Sequence, residues 1–346
     1  MVRIFQGWLE SDIPPATSVR DSLYLFADWV KFGGPPVRQQ MLEQGAYEAV
    51  TKAWSLICYS GIDGTVTLFS PDANGVREAS LAALYSLTAG FPEIIDQVGW
   101  IMIQQSVDTR MPDTTLTFAM KLIRNICIKS ESNREYISWE LELMEPLVLL
   151  IRRDKPSPEF VREMLIKNTM SLLRYLNVSQ TVRLKCNAFG LVKWVLQIMM
   201  QYKASEGILE VGCSCLAFMT LRNACHTAQL IMADGVSVLL EIMDSNMETI
   251  QIMKGGCLTL RNVAANGGNT ARSSILDKGG EELVRTIWEK FPDLRENYVK
   301  PVLRDLGVLK EDEIFSQNVK TQQQQQPTLP LETEVDAAGQ HTEKEN

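Results

Sequence analysis

Apolar residues recur along this chain at the spacing of one face of a helix. Ile250, Met253, Cys257, Leu260 and Ala264, for example, follow one another in steps of three and four residues, which places them on one side of an α-helix. No segment of the sequence shows the sustained two-residue alternation of a β-strand. The pattern therefore predicts an all-α protein.

A short phrase of the type Leu-Arg-Asn recurs along the chain. Its copies lie in residues 122–126, 173–176, 221–224, 260–264 and 303–306. A second marker, a glycine or proline break before a fresh apolar run, recurs between them in steps of 44 to 54 residues, beginning at Gly45. Two markers with a common period of this length predict a helical solenoid built from repeats.

One repeat shows how the unit is built. Residues 228–233 form a short first helix that stops before Gly235, residues 236–243 form a second, and residues 247–264 form a long third helix, with Ser245 or Asn246 as its cap. A three-helix unit cannot bury its apolar face alone, so neighbouring units must stack. We therefore predict a solenoid of about six units over residues 1–315, the first one incomplete.

Three segments depart from the repeat. Residues 316–346 are Gln-rich, acidic and without periodicity, which predicts a disordered tail. Residues 60–74 are an insertion between a second and a third helix. Its residues 66–69 form a small hairpin or cover the end of the core, or the insertion is a functional loop. The apolar residues of the first segment, 4–9, indicate an edge that packs on something or a chain that is a shortened form of a longer one.

The order of short helix, glycine, second helix and long third helix resembles the armadillo repeat, most clearly from Gly190 to Asn223 and from Gly235 to Asn262. The stretches 277–283 and 302–307 resemble the end of one subfamily, armadillo repeat-containing protein six. The resemblance implies a right-handed α-solenoid whose third helices line a concave face.

In relatives such as importin-alpha, an asparagine near the end of each third helix binds the backbone of an extended peptide. An amide suits this task because it offers both a donor and an acceptor. Asn125, Asn223 and Asn262 hold that place here, whereas other units carry Ser86, Tyr175, Asp305 and, at the first unit, Asp28. The tryptophan that importin-alpha has four residues earlier is replaced by Lys121, Met219 and Leu258, which disfavours a nuclear-transport adaptor.

The residue before the asparagine place is arginine in five copies of the phrase. These residues are Arg124, Arg174, Arg222, Arg261 and Arg304. Two interpretations stay open. A row of guanidinium groups on one face would attract an acidic or phosphorylated segment, or each arginine pairs with a carboxylate of its own or a neighbouring unit.

Composition limits the other possibilities. The net charge of −8 disfavours nucleic acid as a partner, and no apolar stretch is long enough for a membrane span. Seven cysteines without regular spacing predict a reducing compartment, the cytoplasm and possibly also the nucleus. Cys127 and Cys225 are expected at a repeated small buried position.

Catalytic and metal-binding chemistry is sparse in the sequence. The two histidines are His226, expected at a surface or an interface, and His341 in the tail. Cys213 and Cys215 lie two apart on a helix and cannot face one ion. We expect no enzymatic activity, no cofactor, no metal and no small-molecule substrate.

The leading hypothesis is a scaffold or adaptor that binds an extended, possibly acidic, segment of another protein. Candidate groove residues are Arg124, Asn125, Arg174, Arg222, Asn223, Arg261 and Asn262. The alternatives are a nuclear-transport-type adaptor and a regulatory subunit that clasps a folded partner such as a small GTPase. Replacing Asn223 and Asn262 with alanine is expected to weaken binding while leaving the fold nearly intact.

Overall fold

The structure is a computed structural model that describes residues 16–59, 71–152 and 157–309, and every regular element among them is helical. The helices are α1 (Ala16–Glu43), α2 (Ala46–Tyr59), α3 (Pro71–Thr88), α4 (Gln97–Ser106), α5 (Asp113–Cys127), α6 (Glu131–Trp139), α7 (Met144–Arg152), α8 (Glu159–Leu176), α9 (Gln180–Cys186), α10 (Leu191–Gln201), α11 (Glu206–Thr220), α12 (Ala224–Met232), α13 (Gly235–Ser245), α14 (Ile250–Asn266), α15 (Gly268–Asp277), α16 (Gly280–Lys290) and α17 (Lys300–Leu306). Short 3₁₀ turns at Pro92–Ile94, Asn187–Phe189 and Pro292–Leu294 and a π turn at Arg295–Val299 join them.

One helix from each unit takes part in a continuous row. The first half of α1 packs on α3, which packs on α5, and the row continues through α8, α11, α14 and α17. These are the third helices of successive units, and α2, α4, α7, α10, α13 and α16 are the second helices. The all-α solenoid is therefore confirmed. A leading third helix is followed by six units in the described part of the chain, where the sequence predicted about six with the first incomplete.

The break inside α1 separates the leading third helix from the first helix of the next unit. Gly34 has a φ of 67°, a conformation that glycine adopts at little cost, and Pro35 and Pro36 follow it. Past the break, Arg38 donates hydrogen bonds of 2.7 Å and 2.6 Å to the carbonyl oxygens of Ser86 and Ala89 at the end of α3. The chain thus turns and is tied back to its own unit.

The repeat at 224–266 shows where the sequence-based boundaries were wrong. The first helix, α12, begins at Ala224 rather than at residue 228, and the third, α14, begins at Ile250 rather than at 247. Thr249 is the residue before α14, without a side-chain cap. Asn246 instead donates its side-chain N–H to the carbonyl of Ile242, at 2.8 Å, so it closes α13 and does not cap α14.

Two of the predicted special segments lie outside the described residues, namely the tail 316–346 and the N-terminal residues 4–9. Most of the predicted insertion does so as well. Its last four residues belong to α3, which begins at Pro71. The insertion is therefore at least four residues shorter than the sequence suggested.

The ends of several third helices are closed by a side chain from the following first helix. The last carbonyls of a helix lack partners within the helix. Arg134 donates to Cys127 at 2.6 Å, Arg183 to Asn177 at 2.8 Å, and Arg272 to Ala264 at 3.3 Å. His226 holds the corresponding place after α11. This recurring contact ties each unit to the next.

Candidate binding groove

The third helices share one row of partly exposed side chains, which we call the groove. On α14 these are Lys254, Leu258, Arg261 and Asn262, whereas the residues between them are buried. The first and second helices cover the opposite side of each third helix, so the row is the surface that every unit presents in the same way.

The register between α11 and α14 follows from a repeated glycine–methionine contact. A side chain added at Gly212 would meet Met199, and one added at Gly256 would meet Met243. Gly256 follows Gly212 by 44 residues, and Met243 follows Met199 by the same 44 residues. With this offset, Phe218 corresponds to Asn262 and Ala217 corresponds to Arg261.

The assignment of Arg222 and Asn223 to the groove row is therefore wrong. Both residues follow the end of α11 at Thr220 and lie five positions later than the true counterparts of Arg261 and Asn262. Arg222 has a φ of 50°, which is not helical. The corrected place four residues before the asparagine place is Ser214, not Met219. Cys225, displaced by the same error, is exposed rather than buried.

Asn223 is a structural residue at the joint between two units. Its Oδ1 accepts the backbone N–H of His226 at 3.1 Å, which caps the start of α12, and its Nδ2 donates to Oδ1 of Asn187 at 3.0 Å. The residue is only 5% exposed. Both the oxygen and the nitrogen of its amide form hydrogen bonds within the protein, so the amide is not available to a bound peptide.

His226 is fully buried, so of the two expected positions, a surface or an interface, the surface position is wrong. Its Nδ1 lies 2.9 Å from the carbonyl oxygen of Met219. Nδ2 of Asn223 lies 3.1 Å from the same ring nitrogen. Burial lowers the pKa of His226 below its ordinary value of 6.5, opposed by backbone hydrogen bonds with Met219 and Cys186, while the nearby Arg183 guanidinium lowers it further.

This burial predicts a pH dependence of stability. The unfolded chain takes up a proton at His226 near pH 6.5, and the folded chain does so only at lower pH. The unfolded state therefore binds more protons below about pH 6.5, and the free energy of unfolding falls as the pH drops through that range. We expect His226→Gln to flatten this slope, measured by urea denaturation at pH 7.5, 6.5 and 5.5. Equal slopes in the wild type and in His226→Gln would contradict the assignment.

Asn125 and Asn262 do lie on third helices, as predicted. Each donates its side-chain N–H to the preceding third helix, Asn125 to the carbonyl of Tyr85 at 3.2 Å and Asn262 to that of Ala217 at 2.8 Å. Tyr85 and Ala217 hold the same place in their units, so the contact is a repeated one. Asn262 also donates to Oγ1 of Thr220 at 3.3 Å, and the Oδ1 of each amide has no partner among the residues that the structure describes. Each Oδ1 can still accept a hydrogen bond from a peptide, which stays a prediction.

Arg124 and Arg174 occupy the middle of the groove without an acidic partner. Neither forms an ion pair with a carboxylate in the described ranges, and the Nε of each is buried without a hydrogen bond. The Arg174 guanidinium lies 4.7 Å from the ring centre of Tyr175 and 5.9 Å from that of Phe218, and it donates to the Tyr175 hydroxyl at 3.1 Å. The aromatic rings hold this cation in place without neutralising it.

The two ends of the groove differ from its middle. Asp305 pairs with Arg261 at 3.5 Å and with Arg304 at 2.8 Å, so arginine–carboxylate pairing does occur at the C-terminal end. At the other end, Glu78 accepts hydrogen bonds of 2.6 Å from the hydroxyls of Tyr24 and Thr114. Burial and the contact with Glu78 raise the pKa of Tyr24. Among the groove arginines of the described ranges, Arg124 and Arg174 are thus the two without a carboxylate partner.

A metal site and a membrane span are two further possibilities. The described residues contain no group of three or more His, Cys, Asp or Glu side chains that could hold a metal ion. Within the same ranges, no helix combines the length and the apolar character that crossing a membrane requires. Neither observation adds a second candidate site to the groove.

No protein-family model matches the chain, and no curated protein matches it. The resemblance of its C-terminal units to one armadillo subfamily therefore stays a prediction. Solved structures do match. A designed armadillo repeat protein gives a TM-score of 0.57 at 19% identity over 70% of this chain and 96% of that chain. Another, in complex with the peptide (KR)4, gives 0.57 at 17% identity over 68% and 95%.

A structure concerning a phosphorylation switch in the interaction between cadherin and beta-catenin also matches, with a TM-score of 0.60 at 16% identity over 88% of this chain and 54% of that chain. The fold is therefore an armadillo-type repeat solenoid. Because all these identities are low, the likeness concerns the fold, and the chemistry of the groove has to be argued from its own residues.

Proposed function

We propose that this protein is a non-enzymatic scaffold that binds an extended, acidic segment of another protein along the groove, from α5 across α8 and α11 to α14. The observation that carries the proposal is the state of Arg124 and Arg174. Both lie on the groove without a carboxylate partner in the described part of the chain, whereas Arg261 and Arg304 at the end of the row share Asp305. A carboxylate or phosphate group of a ligand would pair with these two arginines.

The same region supplies the other contacts that an extended segment needs. Asn125 offers an amide to the ligand backbone at one side of the basic region, and Asn262 offers another at the far side. Lys121 adds a third positive charge, 5.9 Å from the Tyr85 ring centre and 5.2 Å from that of Phe118. Charge in the middle and amides at both sides favour a long, unfolded ligand over a compact one.

One armadillo-type neighbour binds the basic peptide (KR)4, so a basic ligand is the alternative to test. The groove here does not favour one. Its place for a flanking aromatic, four residues before the asparagine place, carries Lys121, Ser171, Ser214 and Leu258. A lysine at that place repels a basic side chain, and two serines cannot stack along its aliphatic stem. Binding of (KR)4 in preference to an acidic peptide would favour the transport-type adaptor.

Charge reversal in the groove tests the proposal. We expect fluorescein-labelled (Glu)8 to bind the wild type more tightly than (KR)4, and Arg124→Glu with Arg174→Glu to weaken (Glu)8 binding at least tenfold, or about 1.4 kcal/mol. The measurement is fluorescence anisotropy at 50 mM and 300 mM salt, because binding through exposed charges weakens as salt rises.

The matched control places the same charge change elsewhere. Lys193 is exposed on the second helix α10, and Lys203 beyond it forms an exposed ion pair with Glu241. Lys193→Glu with Lys203→Glu alters the net charge as much as the groove variant does. We expect its (Glu)8 affinity to stay within twofold of the wild type. Equal losses in the two variants, with circular dichroism unchanged, would reduce the effect to net charge and contradict the groove assignment.

A further inference from the structure

The corrected register shows that the amide row is interrupted in two adjacent units. The asparagine place carries Asn125 on α5 and Asn262 on α14, but Tyr175 on α8 and Phe218 on α11 between them. A peptide backbone that is bonded at both sides finds no amide in the middle. Any affinity there has to come from a ligand side chain.

A second place changes in the same two units. Four residues before the asparagine place, α5 and α14 carry the long side chains of Lys121 and Leu258, whereas α8 and α11 carry Ser171 and Ser214. On α8 and α11, an aromatic ring thus replaces the amide, and a serine replaces the long side chain four residues earlier. We call this part of the groove the aromatic step and define it by Ser171, Arg174, Tyr175, Ser214 and Phe218.

Arg174 joins the two rings of the aromatic step. It lies 4.7 Å from the ring centre of Tyr175 on its own helix and 5.9 Å from that of Phe218 on the next. Phe218 is partly exposed although large apolar side chains on this helix are otherwise buried. A guanidinium beside exposed aromatic faces suits a further aromatic ring, which can stack on the cation and meet the rings edge to face.

We propose that the aromatic step is a specificity site for one aromatic side chain of the acidic segment. This inference rests on the proposed function and adds to it the residue that sets register. The bound segment places its aromatic residue against Phe218 and Arg174, and acidic residues on either side of it face Arg124 and the free edge of Arg174. A purely acidic segment binds the same groove without a fixed register.

Three peptides of equal charge separate the possibilities. They contain four glutamates on each side of a central Phe, Leu or Ala, and their affinities are measured by fluorescence anisotropy with the full chain. We expect the Phe peptide to bind wild type about tenfold more tightly than the Ala peptide and at least threefold more tightly than the Leu peptide. Equal binding of the Phe and Leu peptides would overturn the aromatic preference.

Two variants locate the preference. Phe218→Asn restores the amide found in the flanking units, and Phe218→Leu keeps an apolar side chain but removes the ring. We expect the preference for Phe over Ala to fall below twofold in both. Leu184→Asn, an exposed leucine on the first helix α9 with 59% exposure, is the control and keeps the tenfold preference.

The failures of the two proposals are distinguishable. If all three peptides bind equally and Arg124→Glu with Arg174→Glu abolishes their binding, the groove function stands and the aromatic step is wrong. If the preference for Phe survives in Phe218→Asn and Phe218→Leu, the site lies elsewhere and the inference is overturned. If none of the three peptides binds wild type, both proposals fail.

Discussion

Replacing Gly255 with alanine is expected to lower the free energy of unfolding by about 2–3 kcal/mol. A Cβ at Gly255 would lie 2.8 Å from Cβ of Cys213, 2.9 Å from its carbonyl carbon and 2.9 Å from the backbone N of Ser214. These atoms belong mainly to the backbone of α11 and cannot rotate away, so α14 has to move. Alanine favours a helix over glycine by about 1 kcal/mol, which offsets only part of the loss. Chemical denaturation followed by circular dichroism measures the change.

Gly207→Ala is the matched control for this prediction. The Cβ there would meet Nζ of Lys167 at 2.7 Å, the far end of a flexible side chain that can turn aside. We expect the stability of this variant to equal or exceed that of the wild type. A loss in Gly207→Ala as large as that in Gly255→Ala would show that the close approach of α11 and α14 is not the cause.

Asn223→Ala is expected to lower the free energy of unfolding by about 2–4 kcal/mol. The change removes a helix cap, which contributes roughly 0.5–2 kcal/mol, and leaves Oδ1 of Asn187 without its donor in a half-buried place, at roughly 1–3 kcal/mol. Asn223 accepts from the backbone of His226 at 3.1 Å and donates to Asn187 at 3.0 Å. Thermal and urea unfolding measure the loss.

Asn223→Ser separates the two contributions, because serine keeps a capping oxygen but cannot donate to Asn187 in the same way. We expect it to recover about half of the stability lost in Asn223→Ala. Peptide binding by whatever fraction stays folded should be unchanged in both variants. A normal melting curve together with weaker (Glu)8 binding would return Asn223 to the groove and contradict the corrected register.

The sequence was sufficient to predict the fold because two features mark each repeat, the apolar spacing and the breaks between helices. It was also sufficient for Arg124, Asn125, Arg174, Arg261 and Asn262, which all lie on third helices. Those phrases fall inside long amphipathic segments whose buried face is unambiguous. In such segments, the place of a residue in the recurring phrase agrees with its position on the helix.

The same reasoning failed at residues 221–224, where the Leu-Arg-Asn phrase recurs but does not lie at the same place in the repeat. The copy at Arg222 comes 39 residues before the copy at Arg261, whereas Gly190 and Gly235 are 45 apart. That mismatch was the available signal. Its physical meaning is that α11 ends at Thr220, and the next three residues form a turn that positions Asn223 as a cap.

Two further properties, the pairing of Arg261 and the burial of His226, depend on contacts between units and could not be predicted from a single repeat. Arg261 is paired because α17 brings Asp305 within 3.5 Å, whereas α8 and α11 present aromatic rings to Arg174 instead. His226 is buried because it takes the place that Arg134 and Arg183 hold in earlier units. The spacing of 43 residues from Arg183 to His226 is the signal that could have revealed it.

The central claim is that an acidic segment lies across the third helices, and site-specific photo-crosslinking tests it most directly. Benzoylphenylalanine would replace Leu258, partly exposed on the groove face of α14, or Gln197, exposed on the second helix α10. Each protein would be irradiated with a biotinylated peptide of four glutamates, phenylalanine and four glutamates. The account predicts crosslinking from position 258, none from 197, and loss of the 258 crosslink in Arg124→Glu with Arg174→Glu. Crosslinking from position 197 but not from 258 would place the peptide on the other side of the solenoid and contradict the account.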